Sequence, residues 1–523
     1  MQQMKAISGT QMRTLDQRTI AEKGIPGEVL MERAGIAAGK ALEKWSLSRI
    51  AEPGRNVEQI HFVFLAGKGN NGGDAFVAAK FLHEQGYAVS LYCAEAISRI
   101  KGDALIHFRR MPRFLQEMAS SALIPDSAFA KGNILVDALL GTGFSGSLKE
   151  EYAVLCRRIN DSGAFVAAMD IPSGLNADTG EADPDAVCAH LTLTMALPKK
   201  GMFSARGIRL TGRLQVLEIG INREWAEDLP EVWECTGPEE AASFLKKVPF
   251  DTHKNARGHV FVFGGSSLYS GAILLCAESS LRSGAGLTSC FIPEGMRIYS
   301  SVPKALMMRM LPSDNGFLQG DLPDSVDLSR ADSIAAGPGM GTSEFSVSFL
   351  EQIFAAEKPL TLDADGLNLL ALHPVLQRKL PARKAPTVLT PHPGEMKRLL
   401  DAFAPGRSFA SRMEQALFLA EKCRAVVVLK GARTVVASPD GRTALNLSGS
   451  PVLATAGSGD VLCGILAALA ADSERDLFDS VRLGVFLHGL CGEFAERSGN
   501  GCCIADDLLP LIGKAMQSLR SDF

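Results

Sequence analysis

The sequence predicts an α/β protein with two three-layer domains, each built on a parallel sheet between helices. From Ile60 onward, short β-rich runs end in glycine or a carboxylate and are followed by helical patterns, which is typical of βαβ units. The chain has 523 residues, more than one core usually serves. A polar, charged passage that holds two of the three tryptophans interrupts the alternation near residues 222–240. These observations place the domain boundary in that passage.

Composition excludes several classes of protein. Apolar residues make up 46% of the chain and charged residues 21%, which is ordinary for a soluble globular protein. The formal net charge is −4 and there are no basic blocks, so we expect neither a nucleic-acid nor a membrane partner. The eleven cysteines are scattered without a C-x-x-C, which indicates neither a disulfide framework nor a zinc site. A cytoplasmic location is expected, since no signal peptide or membrane span is visible.

The strands of each predicted sheet follow in order along the chain. The first half carries "IHFVFLAG", "AVSLYC", "NILVDALLG", "AFVAAMDIP", "LTLTMAL" and "RLQVLEIG". The second half carries "VFVFGGS", "LTSCFIP", "SIAAGPGMG", "PLTLDADG", "TVLTPHPGE", "AVVVLKG" and "RTVVAS". We therefore predict a first domain over residues 1–222, a linker over 223–240 and a second domain over 241–523. Ligand loops should lie at the carboxyl ends of the parallel strands.

The first glycine-rich loop of the amino-terminal half is "GKGNNGGD", which leaves a strand and opens a helix at Asp74. Flexible backbone at a helix start can hold an anion. The amide groups of Asn70 and Asn71 can bond a ligand or coordinate a cation. The structural alternative is an Asx-rich turn in which Asp74 is the helix cap.

Two further loops add candidate residues to this site. "VDALLGTGFSG" places Asp137 near a strand end, and "MDIPSGLNADTG" places Asp170 and Ser173 at another. Parallel strands bring the loops to one edge of the sheet. Oxygens of Asn71, Asp137 and Ser173 suit a hard monovalent cation, which leaves Asp170 for proton transfer.

The second half has its own strand-end loops. His392 lies between two prolines in "TPHPGE", and prolines pre-set the backbone that presents it. "VVVLKGARTVV" brings Lys430 and Gly431 to a strand end, with Thr434 nearby, where they could meet phosphates. The chain contains no Walker A pattern, so the nucleotide would be held in another way.

The stretch "ATAGSGDVLCGILAAL" places one carboxylate, Asp460, at the start of a helix. Two interpretations are open. Asp460 could be an ordinary helix N-cap in front of a buried apolar stripe. It could instead be a base beside a phosphate that is held by the free N–H groups of the helix start.

The amino-terminal half resembles the NAD(P)H-hydrate epimerase domain over about residues 5–222. The resemblance rests on "MRTLDQRTIAEKGIPGEVLMERAG", "GKGNNGGD", "VDALLGTGFSG" and "DIPSGLNADTG", in that order. It implies a Rossmann-like fold, potassium at Asn71, Asp137 and Ser173, and epimerisation of the hydroxyl-bearing C6, with Asp170 as the acid/base candidate. The family usually has glycine where Ala75 follows "NNGGD". The implied hydrate contacts are Asn70, Asn71, Gly72, Gly73, Asp74, Gly141, Thr142, Gly143, Phe144, Ser145, Gly146, Ser147 and Asp170.

The second half resembles the ADP-dependent NAD(P)H-hydrate dehydratase domain, from about residue 250 to 515. The resemblance rests on "GGSSLYSGA", "GPGMG", "DADGLNLLA", "TPHPGE", "LKGART" and "ATAGSGDVLCGILAAL". It implies a ribokinase-like fold and ADP as phosphoryl donor, giving AMP and phosphate, and Mg²⁺ is expected with the nucleotide. Ser458 stands where related chains often have Thr or Met. The implied hydrate contacts are Ala272, Gly339, His392 and Asp460, and the implied nucleotide contacts are Lys430, Gly431, Ala432, Arg433, Thr434 and Gly459.

The expected function is repair of the hydrated coenzymes NADHX and NADPHX. Phosphorylation turns the C6 hydroxyl into a leaving group, and Asp460 would take the hydroxyl proton. The choice of ADP over ATP rests on the resemblance alone. We also expect a homo-oligomer. Two alternatives stay open: a small-molecule kinase with an amino-terminal nucleotide-binding regulatory domain, and an amino-terminal half that binds nucleotides or a partner without catalysis.

Overall fold

The computed structural model describes residues 3–50, 60–121, 123–298, 301–498 and 502–521. The chain divides into two compact units, unit 1 over Met1–Glu234 and unit 2 over Cys235–Phe523. No helix in the described ranges combines the length and the apolar character that a bilayer crossing requires. Both units alternate strands and helices, which confirms the predicted α/β class.

Unit 1 is built on a six-stranded sheet in the order β3-β2-β4-β5-β6-β7, with every neighbouring pair parallel. All six predicted strands are confirmed. The chain leaves β2 for one side of the sheet and reaches β4 on the other, so the order reverses at β2. Ligands bind at such a switch point. The six strands are β2 (His61–Ala66), β3 (Ala88–Cys93), β4 (Ile134–Ala138), β5 (Phe165–Met169), β6 (Leu191–Met195) and β7 (Arg213–Leu217), and the short β1 (Lys5–Ala6) lies outside this sheet.

Helices cover the sheet because their apolar faces need burial. In α6, for example, Tyr152, Leu155, Cys156 and Ile159 recur at helical spacing and are all buried. At the start of α1, Ser8 and Gln11 form a capping box that satisfies the first free N–H groups. The helices of unit 1 are α1 (Gly9–Lys23), α2 (Gly27–Ile50), α3 (Asn70–Glu84), α4 (Gly102–Arg109), α5 (Arg113–Ala119), α6 (Glu150–Asp161) and α7 (Ala205–Thr211).

Unit 2 has a larger sheet, in which the order β11-β10-β9-β14-β15-β16-β17 is parallel throughout. The seven predicted strands are present, as β9, β10 and β14 to β18. The strands are β8 (Trp233–Thr236), which straddles the division, β9 (His259–Phe263), β10 (Leu287–Pro293), β11 (Met307–Leu311), β12 (Ser313–Asp314), β13 (Phe317–Leu318), β14 (Ser333–Ala336), β15 (Leu360–Leu362), β16 (Thr387–Leu389), β17 (Val426–Leu429), β18 (Val435–Ala437) and β19 (Thr443–Asn446).

One expectation about this sheet is wrong. β18 pairs antiparallel with β17, and β19 pairs antiparallel with β18. The loop between β17 and β18 covers only residues 430–434, which is too short for the crossover that parallel strands need. Two further strands, β11 and β19, were not predicted, because their short runs lack a clear apolar pattern.

The helices of unit 2 include α15, whose predicted apolar stripe is buried at Val461, Leu462, Ile465, Leu466 and Leu469. This helix packs so tightly on α9 that a Cβ at Gly464 would overlap the backbone of Cys276. The helices are α8 (Pro238–Ser243), α9 (Ser270–Arg282), α10 (Glu344–Ala355), α11 (Asp365–Leu372), α12 (Pro374–Lys379), α13 (Pro393–Phe403), α14 (Arg412–Cys423), α15 (Ser458–Ala470), α16 (Leu477–Ser498), α17 (Ala505–Leu508) and α18 (Leu511–Ser521).

Candidate active sites

The glycine-rich loop after β2 forms the first candidate site. Helix α3 begins at Asn70 with Gly69 as its N-cap, so the prediction that the helix opens at Asp74, and the alternative of Asp74 as its cap, are both wrong. A Cβ at Gly72 would overlap the carbonyl oxygen of Gly67, which explains the glycine. The backbone N–H groups of Asn70, Asn71 and Gly72 have no acceptor among the described residues. The turn therefore offers free donors to an anion.

The three predicted cation ligands come together at the ends of β4 and β5. The Ser173 hydroxyl donates to Asp137 Oδ1 at 2.6 Å, and the Ser173 N–H donates to Asp137 Oδ2 at 2.8 Å. The Leu140 N–H donates to Ser173 Oγ at 2.9 Å, and its carbonyl accepts from Asn71 Nδ2 at 2.9 Å. One connected network therefore joins Asn71, Leu140, Ser173 and Asp137.

Burial affects one carboxyl and one amide oxygen of this network. Asp137 is fully buried, and burial raises the pKa of its carboxyl to about 6. Asn71 Oδ1 is buried and has no hydrogen-bond partner among the described residues. Buried oxygens of this kind are normally satisfied. The same ranges hold no group of three or more His, Cys, Asp or Glu that could bind a metal, so any cation here would rely on neutral oxygens as well.

Asp170 follows β5 in a left-handed conformation, with φ 60°. Its Oδ1 accepts from the Met195 N–H at 3.1 Å, from the Thr194 hydroxyl at 3.2 Å and from the ammonium of Lys199. Lys199 is fully buried and also donates to Thr194 Oγ1 at 2.9 Å and to the Met195 carbonyl at 3.1 Å. Asp170 Oδ2 bonds to none of the described residues, so it is the oxygen that a ligand can reach.

Two more carboxyls lie in the field of this ion pair. Burial raises the pKa of Asp16 to about 6, while the positive charge of Lys199 opposes the rise. Burial raises the pKa of Asp74 well above its usual value, and the charge of Asp170 adds to it. Carboxyls with separated pKa values in one site are suited to acid and base roles.

The loop after β4 borders the network. A Cβ at Gly141 would contact the Asn71 side chain at 3.4 Å, so this part of the loop lies against the cation candidates. The Phe144 N–H donates to the Gly141 carbonyl at 3.1 Å, which closes a turn. Thr142 and Phe144 are partly exposed. The exposed members of the predicted set are Gly143, Ser145, Gly146 and Ser147. Gly73 is buried in α3, with Met31 where a Cβ would lie.

The second candidate site surrounds the start of α15. The N-cap is Gly457, in the left-handed region at φ 86°, and Asp460 is the third helical residue. The Asp460 carboxylate bonds to none of the described residues, so the N-cap interpretation is wrong. The N–H groups of Gly459 and Asp460 have no acceptor in the described ranges. Burial, followed by the charge of Asp363, raises the pKa of Asp460 to about 7.

An ion pair lies beside this helix start. Lys430 Nζ donates to Asp363 Oδ1 at 2.7 Å and lies 3.9 Å from Glu395 Oε2. A Cβ at Gly459 would lie 3.3 Å from the Lys430 ammonium. Burial raises the pKa of Glu395 to about 7. The ends of β15, β16 and β17 therefore meet α15 around one lysine.

The predicted hydrate contacts lie on neighbouring loops. His392 is the N-cap of α13, where its Nδ1 accepts from the Gly394 N–H at 3.0 Å, and burial lowers the pKa of its imidazole. Ala272 and Gly339 are adjacent, since a Cβ at Gly339 would lie 3.4 Å from that of Ala272. Tyr269, which was not predicted, lies beside them and is 58% exposed.

The predicted nucleotide loop is the hairpin over residues 430–434. The N–H groups of Gly431, Ala432 and Thr434 have no acceptor among the described residues. The Thr434 hydroxyl donates to the Gly431 carbonyl at 2.9 Å, and Arg433 Nη1 donates to the Leu447 carbonyl at 2.7 Å. These two side chains therefore stabilise the loop, and its backbone is the part free to bind.

Sequence reasoning missed several residues of both sites. Lys199, Asp16, Asp363 and Glu395 did not enter the predicted sets. Lys199 was visible in "MALPKK" at a strand end, and Asp363 and Glu395 stood in motifs already quoted. Asp16 stood in "MRTLDQRTIAEKGIPGEVLMERAG", but this stretch is far along the chain from the strand-end loops, so it did not indicate that Asp16 joins the site.

Comparison with known proteins gives full-length and partial relatives. Residues 260–512 match the family model described as NAD(P)H-hydrate dehydratase, and residues 27–201 match that of the YjeF-related protein N-terminus. The bifunctional NAD(P)H-hydrate repair enzyme of Thermofilum pendens is 36% identical, over 99% of this chain and 98% of the relative. The enzyme of the same name from Moorella thermoacetica is 35% identical, over 99% and 98%.

Among solved structures, the ADP/ATP-dependent NAD(P)H-hydrate dehydratase of Bacillus subtilis, co-crystallised with ATP and Mg²⁺, is 27% identical. The match covers 54% of this chain and 97% of that one, with a TM-score of 0.45.

Proposed function

This chain belongs to the family of bifunctional NAD(P)H-hydrate repair enzymes, and we propose that its two units divide the repair between them. The epimerase domain over residues 1–222 interconverts the R and S hydrates at C6. The dehydratase domain over residues 241–523, which follows the linker 223–240, converts the S hydrate to NADH or NADPH with ADP. The observation that carries the proposal is Asp460, which lies beside Lys430 at a helix start. Among the described residues, neither its carboxylate nor the N–H groups of Gly459 and Asp460 have a bonded partner.

The dehydratase site is suited to phosphoryl transfer. Asp460 takes the proton of the C6 hydroxyl while that oxygen attacks the terminal phosphorus of ADP, and AMP leaves. The free N–H groups of Gly431, Ala432 and Gly459, with the Lys430 ammonium, stabilise the phosphate charge. The ring nitrogen then expels the phosphate from C6, and loss of a proton from C5 restores the dihydropyridine.

The pKa of Asp460 supports its role as base. A general base works best with a pKa near the working pH, and burial brings the pKa of this carboxyl to about 7. Ala272, Gly339 and His392 would contact the hydrate, as the resemblance implies. Lys430 to Thr434 and Gly459 would hold the nucleotide.

Magnesium fits the carboxylates at this site. Mg²⁺ is usually bound by one or two carboxylates together with substrate phosphates, and Asp363 and Glu395 both approach Lys430. When bound, the ion would neutralise charge on the phosphates. Asp363 and Glu395 are the residues that would hold it.

Asp170 is the proposed base of the epimerase site. Asp170 presents Oδ2 while its Oδ1 is held by Lys199, Thr194 and the backbone, so the carboxyl group is fixed in place beside a buried lysine side chain. It would take the C6 hydroxyl proton as C6 becomes a carbonyl and the C6–N1 bond breaks, with the bonding electron pair going to N1. It would return the proton to the oxygen when N1 attacks the other face of that carbonyl. The free N–H groups from Asn70 to Gly72 would hold the substrate phosphates.

Potassium fits the network beside this base. The unpartnered oxygen of Asn71 and the buried carboxylate of Asp137 are the kind of atoms that a weakly hydrated cation compensates, together with Ser173. When bound, the ion would supply positive charge to the loop that carries the substrate. The cytoplasmic location and the homo-oligomer stay predictions.

The test is a coupled repair assay. The chain is incubated with mixed R and S hydrates of NADH, ADP, Mg²⁺ and K⁺, and dihydropyridine absorbance and inorganic phosphate are followed. Repair predicts that both rise together and that the R form is consumed as well. A stable phosphorylated product without recovered absorbance would indicate the kinase alternative. Consumption of the S form alone would contradict the epimerase assignment.

A further inference from the structure

Arg412, the first residue of α14, makes an unusual set of contacts with the nucleotide loop. Its Nη1 donates to the carbonyls of Ala432 at 2.7 Å and Arg433 at 3.4 Å. Its Nη2 donates to the carbonyls of Leu429 and Lys430, both at 3.1 Å. One guanidinium therefore donates to four carbonyls, which lie between the end of β17 and the end of the following hairpin loop.

These contacts determine which way the peptide groups of the loop point. The C=O and N–H of a peptide unit point in opposite directions, because the unit is planar and trans. When the carbonyls turn toward Arg412, the N–H groups turn away from it. Among the peptide units whose carbonyls Arg412 holds, the Lys430 N–H donates to the Pro391 carbonyl at 2.9 Å, and the N–H groups of Gly431 and Thr434 have no acceptor among the described residues.

The charge of Arg412 has no carboxylate partner in the described part of the chain, and only carbonyl dipoles face it. A buried cation normally pairs with an acid. Gly431 lies against this group, since a Cβ there would be 3.1 Å from Arg412 Nη2. An uncompensated positive charge on one side of the loop favours an anion on the other side.

We propose that Arg412 is a positioning residue for the nucleotide. Its guanidinium holds the carbonyls of the hairpin so that the opposite N–H groups form a fixed cradle for the phosphates of a nucleoside diphosphate. This inference rests on the proposed nucleotide role of Lys430 to Thr434. Arg412 acts through that loop and does not touch the substrate.

Lysine cannot replace arginine in this role. The guanidinium is a planar fork whose two terminal nitrogens each reach two carbonyls, whereas an ammonium is a single point with three donors. Arg412→Lys therefore keeps the charge and loses the geometry.

Arg383 provides a matched control. It donates to the carbonyls of Ile353 at 2.9 Å, Phe354 at 2.8 Å and Lys358 at 2.7 Å, and to Thr387 Oγ1 at 3.0 Å. Burial lowers the pKa of both arginines. Arg383→Lys thus removes the same kind of structural clamp at a place that holds no predicted nucleotide contact.

The experiment measures ADP affinity by calorimetry, and KM and kcat for ADP and for the S hydrate, in the full chain. We expect Arg412→Lys to weaken ADP binding and raise its KM by 10- to 100-fold, with the KM of the hydrate within about 2-fold. Arg383→Lys should lower the unfolding temperature and leave ADP affinity unchanged. If Arg412→Lys does not fold, Arg412→Gln is measured with the same expectation.

Unchanged ADP affinity in the folded Arg412 variant, or an equal loss in the Arg383 variant, would overturn the proposal. Failure of the proposed function gives a different result. A wild-type chain that binds ADP without dehydrating the hydrate refutes the function, and selective loss of ADP binding in the Arg412 variant would still support the positioning role. A wild-type chain that does not bind ADP overturns both.

Discussion

Replacing Asp460 by asparagine should make unit 2 more stable and its dehydration reaction far slower. Burial raises the pKa of Asp460 from 3.8 to about 7, so the folded state resists ionisation of this carboxyl. A carboxyl whose pKa is raised on folding costs stability as pH rises from 3.8 to 7, and the full cost is present above pH 7. This difference corresponds to at most about 4 kcal/mol. Asparagine has a similar shape and no charge to desolvate.

The expected loss of turnover follows from the role of base. General base catalysis contributes about 10²- to 10⁴-fold, which is about 3–5 kcal/mol in the barrier. We therefore expect kcat for ADP-dependent dehydration of the S hydrate to fall by that factor in Asp460→Asn, with hydrate binding retained. At pH 8 the unfolding temperature should rise by several degrees in the same protein. Dihydropyridine absorbance and thermal unfolding measure the two effects.

Asp440→Asn is a control for which the opposite change in stability is expected. Hydrogen bonds from Arg442 lower the pKa of Asp440 to about 2, and its side chain is 51% exposed. Its removal should therefore lower stability by about 1 kcal/mol or less and leave turnover unchanged. An Asp460→Asn variant that unfolds several degrees below the wild type, with turnover within tenfold of it, would contradict the role of Asp460 as base.

Three further predictions concern unit 1. Asp170→Asn should slow consumption of the R hydrate at least 100-fold, after subtraction of spontaneous epimerisation, while dehydration of pure S hydrate is unchanged; wild-type consumption of the R form would contradict the assignment. Burial raises the pKa of the Asp137 carboxyl to about 6, so ionisation of this carboxyl lowers the stability of unit 1 as the pH rises toward 6. Potassium should therefore raise the unfolding temperature more above about pH 7 than below about pH 5, and equal rises would argue against the site. Gly72→Ala should lower the unfolding temperature because its Cβ overlaps the Gly67 carbonyl, whereas Gly69→Ala, with open space around its Cβ position, should not.

The strand pattern was readable from the sequence because buried parallel strands are continuous apolar runs. "AVSLYC" and "LTSCFIP" coincide with β3 and β10 residue for residue. β11 was missed because its "MMRML" is partly exposed and carries a charge in the middle. The direction of β18 was also missed. The pattern identifies a strand, and the short hairpin before it determines that the strand runs antiparallel.

The sites were predicted in part. Asn71 follows β2, Asp137 lies near the end of β4 and Ser173 follows β5. These three strands are neighbours in the sheet, so the network was foreseeable. The interpretation of Asp74 and Asp460 as helix caps was wrong. Both α3 and α15 begin at least three residues earlier than such caps require, and glycine is the N-cap of each. Propensity alone does not distinguish a cap from a residue in the first turn.

The sequence by itself determined the class of fold, the family, and the order of the strands and strand-end motifs along the chain, because apolar periodicity and such motifs are local features. Tertiary structure alone decided which charges meet. Lys199 reaches Asp170 from a different loop, Lys430 joins Asp363 across the sheet edge, and Arg412 reaches the hairpin from the start of another helix. The strengths of these contacts depend on distance and burial, and both quantities exist only once the chain has folded.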